Sequence, residues 1–131
     1  MTKEILLIDD DAITNFVNQT IMASKFPGIP TKLFHDGAKA MEYILENPSK
    51  HFLVFLDLNM PIMSGWEFLR AMEHKKVGNH IEIHVLTSSI DPRDELETMK
   101  FPMVSSFMEK PLQESDLDEL VFKEIKKNTK T

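Results

Sequence analysis

The sequence predicts an α/β fold, a (βα)5 doubly wound domain on a five-stranded parallel sheet. Short apolar runs alternate with stretches of helical periodicity five times along the chain. Each apolar run also hands over to polar or charged residues at its C-terminal end. The chain has 131 residues and 42% hydrophobic content, enough for one domain with a proper core.

The elements follow in order. The first strand spans about Glu4 to Asp9, where Ile5-Leu6-Leu7-Ile8 runs into Asp9-Asp10-Asp11. Ile13, Phe16, Val17, Thr20 and Ile21 then recur at helical spacing until Phe26-Pro27-Gly28 stops the helix. Thr31 to Phe34 makes a short second strand. Asp36-Gly37 opens a helix with an inner face of Ala38, Met41, Ile44 and Leu45, ending near Asn47-Pro48. The run from His51 to Leu56 reads as a strand buried on both faces and closed by Asp57. Ser64-Gly65 starts a helix with Phe68, Leu69 and Met72 inward, and Gly78-Asn79 ends it. Ile81 to Leu86 is the fourth strand, running into Thr87-Ser88-Ser89. Asp91-Pro92 is an N-cap acid followed by proline at the first helical position, and Phe101-Pro102 breaks that brief helix. Val104 to Met108 is the fifth strand, and Leu117, Leu120, Val121 and Ile125 line the last helix. One domain over residues 1–131 is expected, its core about 4–126, with a short basic tail at 127–131 and no room for an output domain.

Composition removes several function classes. The formal net charge is -6 with basic residues scattered until the tail, which argues against a nucleic-acid surface. No run of apolar residues is long enough to span a membrane, and the N-terminus is no signal peptide. The absence of cysteine rules out disulfides and thiolate sites. A soluble, cytoplasmic protein is expected.

Strand ends in an open parallel sheet share one edge, and ligands bind in the crevice there. That edge would collect Asp9, Asp10, Asp57, Thr87 and Lys110. A like-charged pair at ~4 Å and an effective dielectric near 20 costs about 4 kcal/mol, so a divalent cation between the acids is expected. Carboxylate, carbonyl and water ligands in a small open site favour Mg²⁺. Lys110 adds a positive point charge and Thr87 a hydroxyl donor, which are what a phosphoryl group needs. An aspartate so placed can serve as the nucleophile that forms an aspartyl phosphate.

These motifs resemble those of response-regulator receiver domains of the CheY-like, single-domain type, over essentially the whole chain. The matching stretches are Leu7-Ile8-Asp9-Asp10, Phe55-Leu56-Asp57-Leu58-Asn59-Met60-Pro61, Met63-Ser64-Gly65, Val85-Leu86-Thr87-Ser88 and Met108-Glu109-Lys110-Pro111. The resemblance implies the flavodoxin-like strand order 2-1-3-4-5. It implies Asp57 as phospho-acceptor from a sensor histidine kinase or histidine phosphotransfer protein. It also implies Asp10, Asp57 and the Asn59 backbone carbonyl as direct Mg²⁺ ligands, with Asp9 acting through a metal-bound water. Lys110 would pair with the phosphoryl group before a cis Lys110–Pro111 bond, and Thr87 and Phe107 would relay the switch. Asn59 and Ser89 stand where side chains tune the lifetime of the phosphoryl group. The implied output is a downstream target protein, or a homodimer, at the face of the fourth helix, fifth strand and fifth helix.

The chain departs from the pattern in places. Phe107 stands where many relatives carry Tyr, so no switch can rely on a phenol hydroxyl there, and Ser64-Gly65 is a mild variant of the usual turn. Asp11 reads as a helix cap. His35, His51, His74, His80 and His84 read as structural or surface residues, while Met60 and Met63 shape the loop beside Asp57. Trp66 and Phe122 fall off their helices' inner stripes, and an exposed Phe122 would suit a docking face. A signalling switch with intrinsic Mg²⁺-dependent self-phosphorylation and dephosphorylation, rather than a metabolic enzyme, is the reading these features favour. A phosphohydrolase would want a second acid at Asn59. A flavodoxin-like cofactor binder would want a Ser/Thr/Gly-rich loop where Asp9-Asp10-Asp11 stands. A pure interaction module would have no use for the five site residues.

Overall fold

The computed structural model describes residues 3–75, 80–88 and 91–129, with 125–129 as helical backbone. The elements alternate as expected: β1 (Lys3–Ile8), α1 (Ala12–Lys25), β2 (Thr31–Phe34), α2 (Gly37–Glu46), β3 (His51–Leu56), α3 (Gly65–Lys75), β4 (Ile81–Thr87), α4 (Pro92–Thr98), β5 (Val104–Glu109) and α5 (Glu114–Thr129). All strand pairs are parallel and the sheet order is β2-β1-β3-β4-β5.

The period of two along each strand divides the core into two layers. Leu6, Ile8, Val54, Leu56, Ile83 and Val85 meet α2 and α3 on one face, where Phe68, Leu69 and Met72 are fully buried. Ile5, Leu7, Leu53, Phe55 and Leu86 meet Met22 of α1 and Leu117 and Leu120 of α5 on the other. Ile125, assigned to the α5 stripe, and Gly78-Asn79, assigned to the end of α3, lie outside the residues described at that level.

Local chemistry sets the helix starts. The Asp11 carboxylate accepts from the backbone N–H groups of Ile13 and Thr14, and these bonds hold its pKa below the ordinary value. Ser64 and Glu67 form a reciprocal capping box at α3: Glu67 N–H donates to Ser64 Oγ at 3.2 Å and Ser64 N–H to Glu67 Oε1 at 3.0 Å. Asp91 caps α4, with Pro92 at its first position.

Two helices correct the expected inner faces. In α1 the apolar residues point outward: Ile13, Phe16 and Val17 are 75%, 67% and 49% exposed, Thr20 is exposed and Ile21 half-buried. Asn15, Asn18 and Met22 face the sheet instead. The reason is chemical: this end of α1 covers backbone carbonyls at the strand ends, and Asn15 Nδ2 donates to those of Asp9 at 3.0 Å and Phe34 at 3.2 Å. In α2 the buried set is Gly37, Ala40, Met41 and Ile44, while Ala38 and Leu45 are exposed.

Trp66 is half-buried against the α3 layer and Phe122 is 63% exposed. His84 is 1% exposed; its Nδ1 lies 2.6 Å from Ser106 Oγ and its Nε2 2.7 Å from Glu82, with the ring stacked on Phe55. A buried structural role fits it.

Candidate functional site

Strand register builds the site. Ile8 pairs with both Phe34 and Leu56, so Asp9 and Asp57 leave the sheet side by side. Asp57 N–H donates to the Ile8 carbonyl at 3.0 Å, and Lys110 N–H to the Thr87 carbonyl at 2.8 Å. Those two bonds extend the ladder past the strand ends and carry Asp57, Thr87 and Lys110 to the same rim. The Lys110–Pro111 peptide is cis.

Carboxylate oxygens of Asp9, Asp10 and Asp57 all lie within 4.8 Å of one another. Asp9 and Asp57 are 4% and 5% exposed, whereas Asp10 faces solvent. Lys110 Nζ stands 2.5 Å from Asp9 Oδ2 and 3.4 Å from Asp57 Oδ2. Asp57 Oδ1 accepts the Asn59 backbone N–H at 3.3 Å, and Asp9 Oδ1 the Asp11 N–H at 2.9 Å. Thr87 is fully buried at the end of β4. Phe107 is half-buried against the α3-side layer, two residues before Glu109, the β5 partner of Thr87. Ser89 lies outside the described residues.

Burial pushes the Asp57 carboxyl above its ordinary pKa; Lys110 opposes that rise and Asp9 adds to it. Burial works against the Lys110 ammonium, but the Asp9 hydrogen bond and the Asp57 and Asp9 charges outweigh it and raise its pKa. Three acids therefore face one ammonium. A hard divalent cation fits this donor set: oxygen ligands only, an excess of negative charge, and one acid open to solvent.

The loop after β3 carries a strained residue. Ile62 has φ 71° and is 89% exposed, at the centre of a γ-turn closed by Met63 N–H and the Pro61 carbonyl at 2.8 Å. A β-branched side chain is disfavoured there by roughly 1–2 kcal/mol. Ile62→Asn is expected to raise stability by about 1 kcal/mol, since asparagine tolerates this backbone. Chemical denaturation would check it, and an unchanged midpoint would mean the loop relaxes the strain elsewhere.

Sequence reasoning did not single out Asn15 and Asn18, both buried beneath the acids. The signal that could have found them is their spacing with Met22, helical in period but polar in content.

Clustered acids and a lysine at the C-terminal edge of a doubly wound parallel sheet make a site able to hold a divalent cation beside a fixed positive charge. The chain matches the response regulator receiver domain family over residues 5–122 and belongs to that family. Receiver domains of this family accept phosphoryl groups in two-component signalling and generally bind Mg²⁺ at an acidic pocket. Among solved structures, a two-component response regulator from Cytophaga hutchinsonii superposes with a TM-score of 0.85 at 28% identity, covering 95% of this chain and 98% of that one. The chemotaxis protein CheY4 of Vibrio cholerae shares the fold, with a TM-score of 0.73 at 24% identity over 94% and 98% of the two chains. Among curated proteins, hybrid signal transduction histidine kinase B of Dictyostelium discoideum is 27% identical over 128 residues, 88% of this chain. A probable cyclic di-GMP phosphodiesterase of Vibrio cholerae is 32% identical over 90 residues, 69% of this chain. The matches span only 6% and 20% of those two proteins. Among the described residues no helix is long and apolar enough to cross a membrane.

Proposed function

We propose that residues 1–131 work as one receiver unit in a two-component or phosphorelay pathway, with Asp57 as the acceptor. The observation that carries this is the meeting of three carboxylates within 4.8 Å beside a lysine at a strand end. In this reading Asp10, Asp57 and the Asn59 carbonyl would hold Mg²⁺ directly, and Asp9 through water. Mg²⁺ would neutralise the acids and offer open positions to phosphoryl oxygens.

The chain's own groups have distinct tasks. The Asp57 carboxylate attacks phosphorus; the P–N bond of a phosphohistidine donor breaks, and the imidazole keeps that electron pair and takes a proton. Lys110 Nζ, already 3.4 Å from Asp57 Oδ2, turns from Asp9 to an incoming phosphoryl oxygen. The Thr87 hydroxyl donates to another oxygen, and Phe107 follows it inward. Asn59 and Ser89, two positions beyond Asp57 and Thr87, would set access of the hydrolytic water. The expected output is a population shift at the α4-β5-α5 face. Leu96, Met99 and Phe122 are 67%, 44% and 63% exposed on those helices or beside them, which supports a target protein or a second copy docking there.

The test is intact mass after acetyl phosphate treatment, with and without Mg²⁺, on wild type and Asp57→Asn. One Mg²⁺-dependent phosphoryl adduct, lost in the variant, is the expected result. No adduct, together with no binding of beryllofluoride, would sink the reading.

The outward α1 residues bear on the donor. A groove of about 390 Å³ runs between Ile13 and Val17 of α1 and Lys110, Pro111 and Leu112. An apolar surface adjoining the phosphoryl-handling lysine suits a helix of a histidine kinase or histidine phosphotransfer protein. Ile13→Asp, at a residue that lines the groove, is expected to slow transfer from phosphorylated phosphotransfer proteins by about tenfold or more, the scale of losing an interface anchor. Its labelling by acetyl phosphate should stay at the wild-type rate, and equal losses with both donors would rule the docking role out.

A further inference from the structure

Beneath the acids the structure holds a second polar feature. Asn15 is fully buried, and its amide orientation is fixed: Nδ2 donates to the Asp9 and Phe34 carbonyls, and a flipped amide would set oxygen against both. Asn15 Oδ1 is then buried without a hydrogen-bond partner. Beside it lies a cavity with about 10 Å³ of space for water centres, lined on its polar side by Asp9, Asn15, Asn18 and Asp57. Purely apolar cavities stay dry, but one with room for a single water and two to four polar partners is a water site.

We propose that one water molecule binds between Asn15, Asn18 and the inner side of Asp57, and that Asn15 is a positioning residue acting on the acid cluster through it. The water donates to Asn15 Oδ1, which nothing else in the described structure satisfies, and its remaining capacity meets the Asn18 amide and the carboxylates. Asn15 also fastens the Asp9 carbonyl, while Asp9 N–H is tied to the Phe34 carbonyl at 3.0 Å. The amide and the water thus form a hydrogen-bonded floor that holds Asp9 and Asp57 at their mutual spacing. Outer partners of this kind orient the ligands of a cation without touching it. The positioning role rests on the reading of Asp9, Asp10 and Asp57 as a Mg²⁺ site.

The experiment has two arms. A high-resolution crystal structure of the wild-type chain should show one ordered water within hydrogen-bond distance of Asn15 Oδ1; a dry cavity would overturn the proposal. Calorimetric titration with Mg²⁺ should show Asn18→Leu, which lines the cavity with methyl groups in place of the amide at nearly the same shape, binding about tenfold more weakly than wild type. Asn18→Ser keeps a polar group and room for water, and should restore most of the affinity. Equal Mg²⁺ affinity in all three proteins would overturn the positioning role, and if Asn18→Leu fails to fold, the wild-type crystal and Asn18→Ser decide. A wild type that binds no Mg²⁺ would remove the cation site itself, a result distinct from a dry cavity.

Discussion

Gly65→Ala is expected to destabilise the protein by about 2–4 kcal/mol, which places it among the costliest single-methyl changes available to the chain. A Cβ at this position would stand 2.4 Å from the Asp57 carbonyl oxygen and 2.7 Å from the Leu58 Cα. Both are backbone atoms, so no side-chain rotation can relieve the clash. Gly65 N–H also donates to the Leu58 carbonyl at 2.9 Å, which pins the start of α3 against the segment that follows β3. The added methyl must therefore push α3 away from Asp57 or shift Asp57 itself. Loss of stability should come with slower labelling of Asp57 by acetyl phosphate. Gly28→Ala is the control: nothing lies within 4 Å of its Cβ position, and its effect should stay within about 0.5 kcal/mol. Thermal melts of the two variants would check the contrast. Equal small shifts would show that α3 can slide without cost.

That contrast marks the boundary of what the sequence tells. The rim was legible because parallel strands deliver their C-terminal residues to one edge, so Asp9, Asp57, Thr87 and Lys110 had to meet once five strands were recognised. The role of Gly65 depends on how closely two backbones approach, and no local pattern encodes that distance. The α1 face failed for another reason. Apolar periodicity identifies a core-facing stripe only where the core is apolar. At a polar rim the inner positions go to polar residues, here Asn15, which bonds two carbonyls, and Asn18, and Ile13, Phe16 and Val17 point outward. His84 adds a similar case, since its bond to Ser106 needs the β4–β5 register, which shifts by an irregularity at Ile83/His84.

Lys110→Met should cost about 2–3 kcal/mol at neutral pH, below the 3–5 kcal/mol of a fully buried pair because Lys110 is partly open to solvent. Without the ammonium, Asp9 and Asp57 face each other with little water to screen them. The sign with pH follows from both partners. The Asp57 pKa is already raised by burial, and losing Lys110 removes an opposing influence, so the folded variant takes up a proton more readily still. The gap between wild type and variant should therefore be wide at neutral pH and narrow as pH falls through the folded pKa of Asp57, above its ordinary 3.8. Lys110 has a raised pKa when folded, so its stabilising charge is fully present below its ordinary 10.5 and fades only above that. The penalty thus belongs to the middle of the pH range and closes at both ends. Added Mg²⁺ gives an independent reading, because a cation among the acids replaces the lost charge. Saturation at about 100 times the dissociation constant stabilises a folded protein by about 2.7 kcal/mol. Since Lys110 repels the metal, the variant should bind Mg²⁺ more tightly than wild type and recover most of its deficit. Its phosphoryl transfer should stay slow, since Met cannot donate to a phosphoryl oxygen. Denaturation across pH, with and without Mg²⁺, would separate these terms; a penalty independent of both would assign Lys110 to packing through its methylene stem instead of to charge.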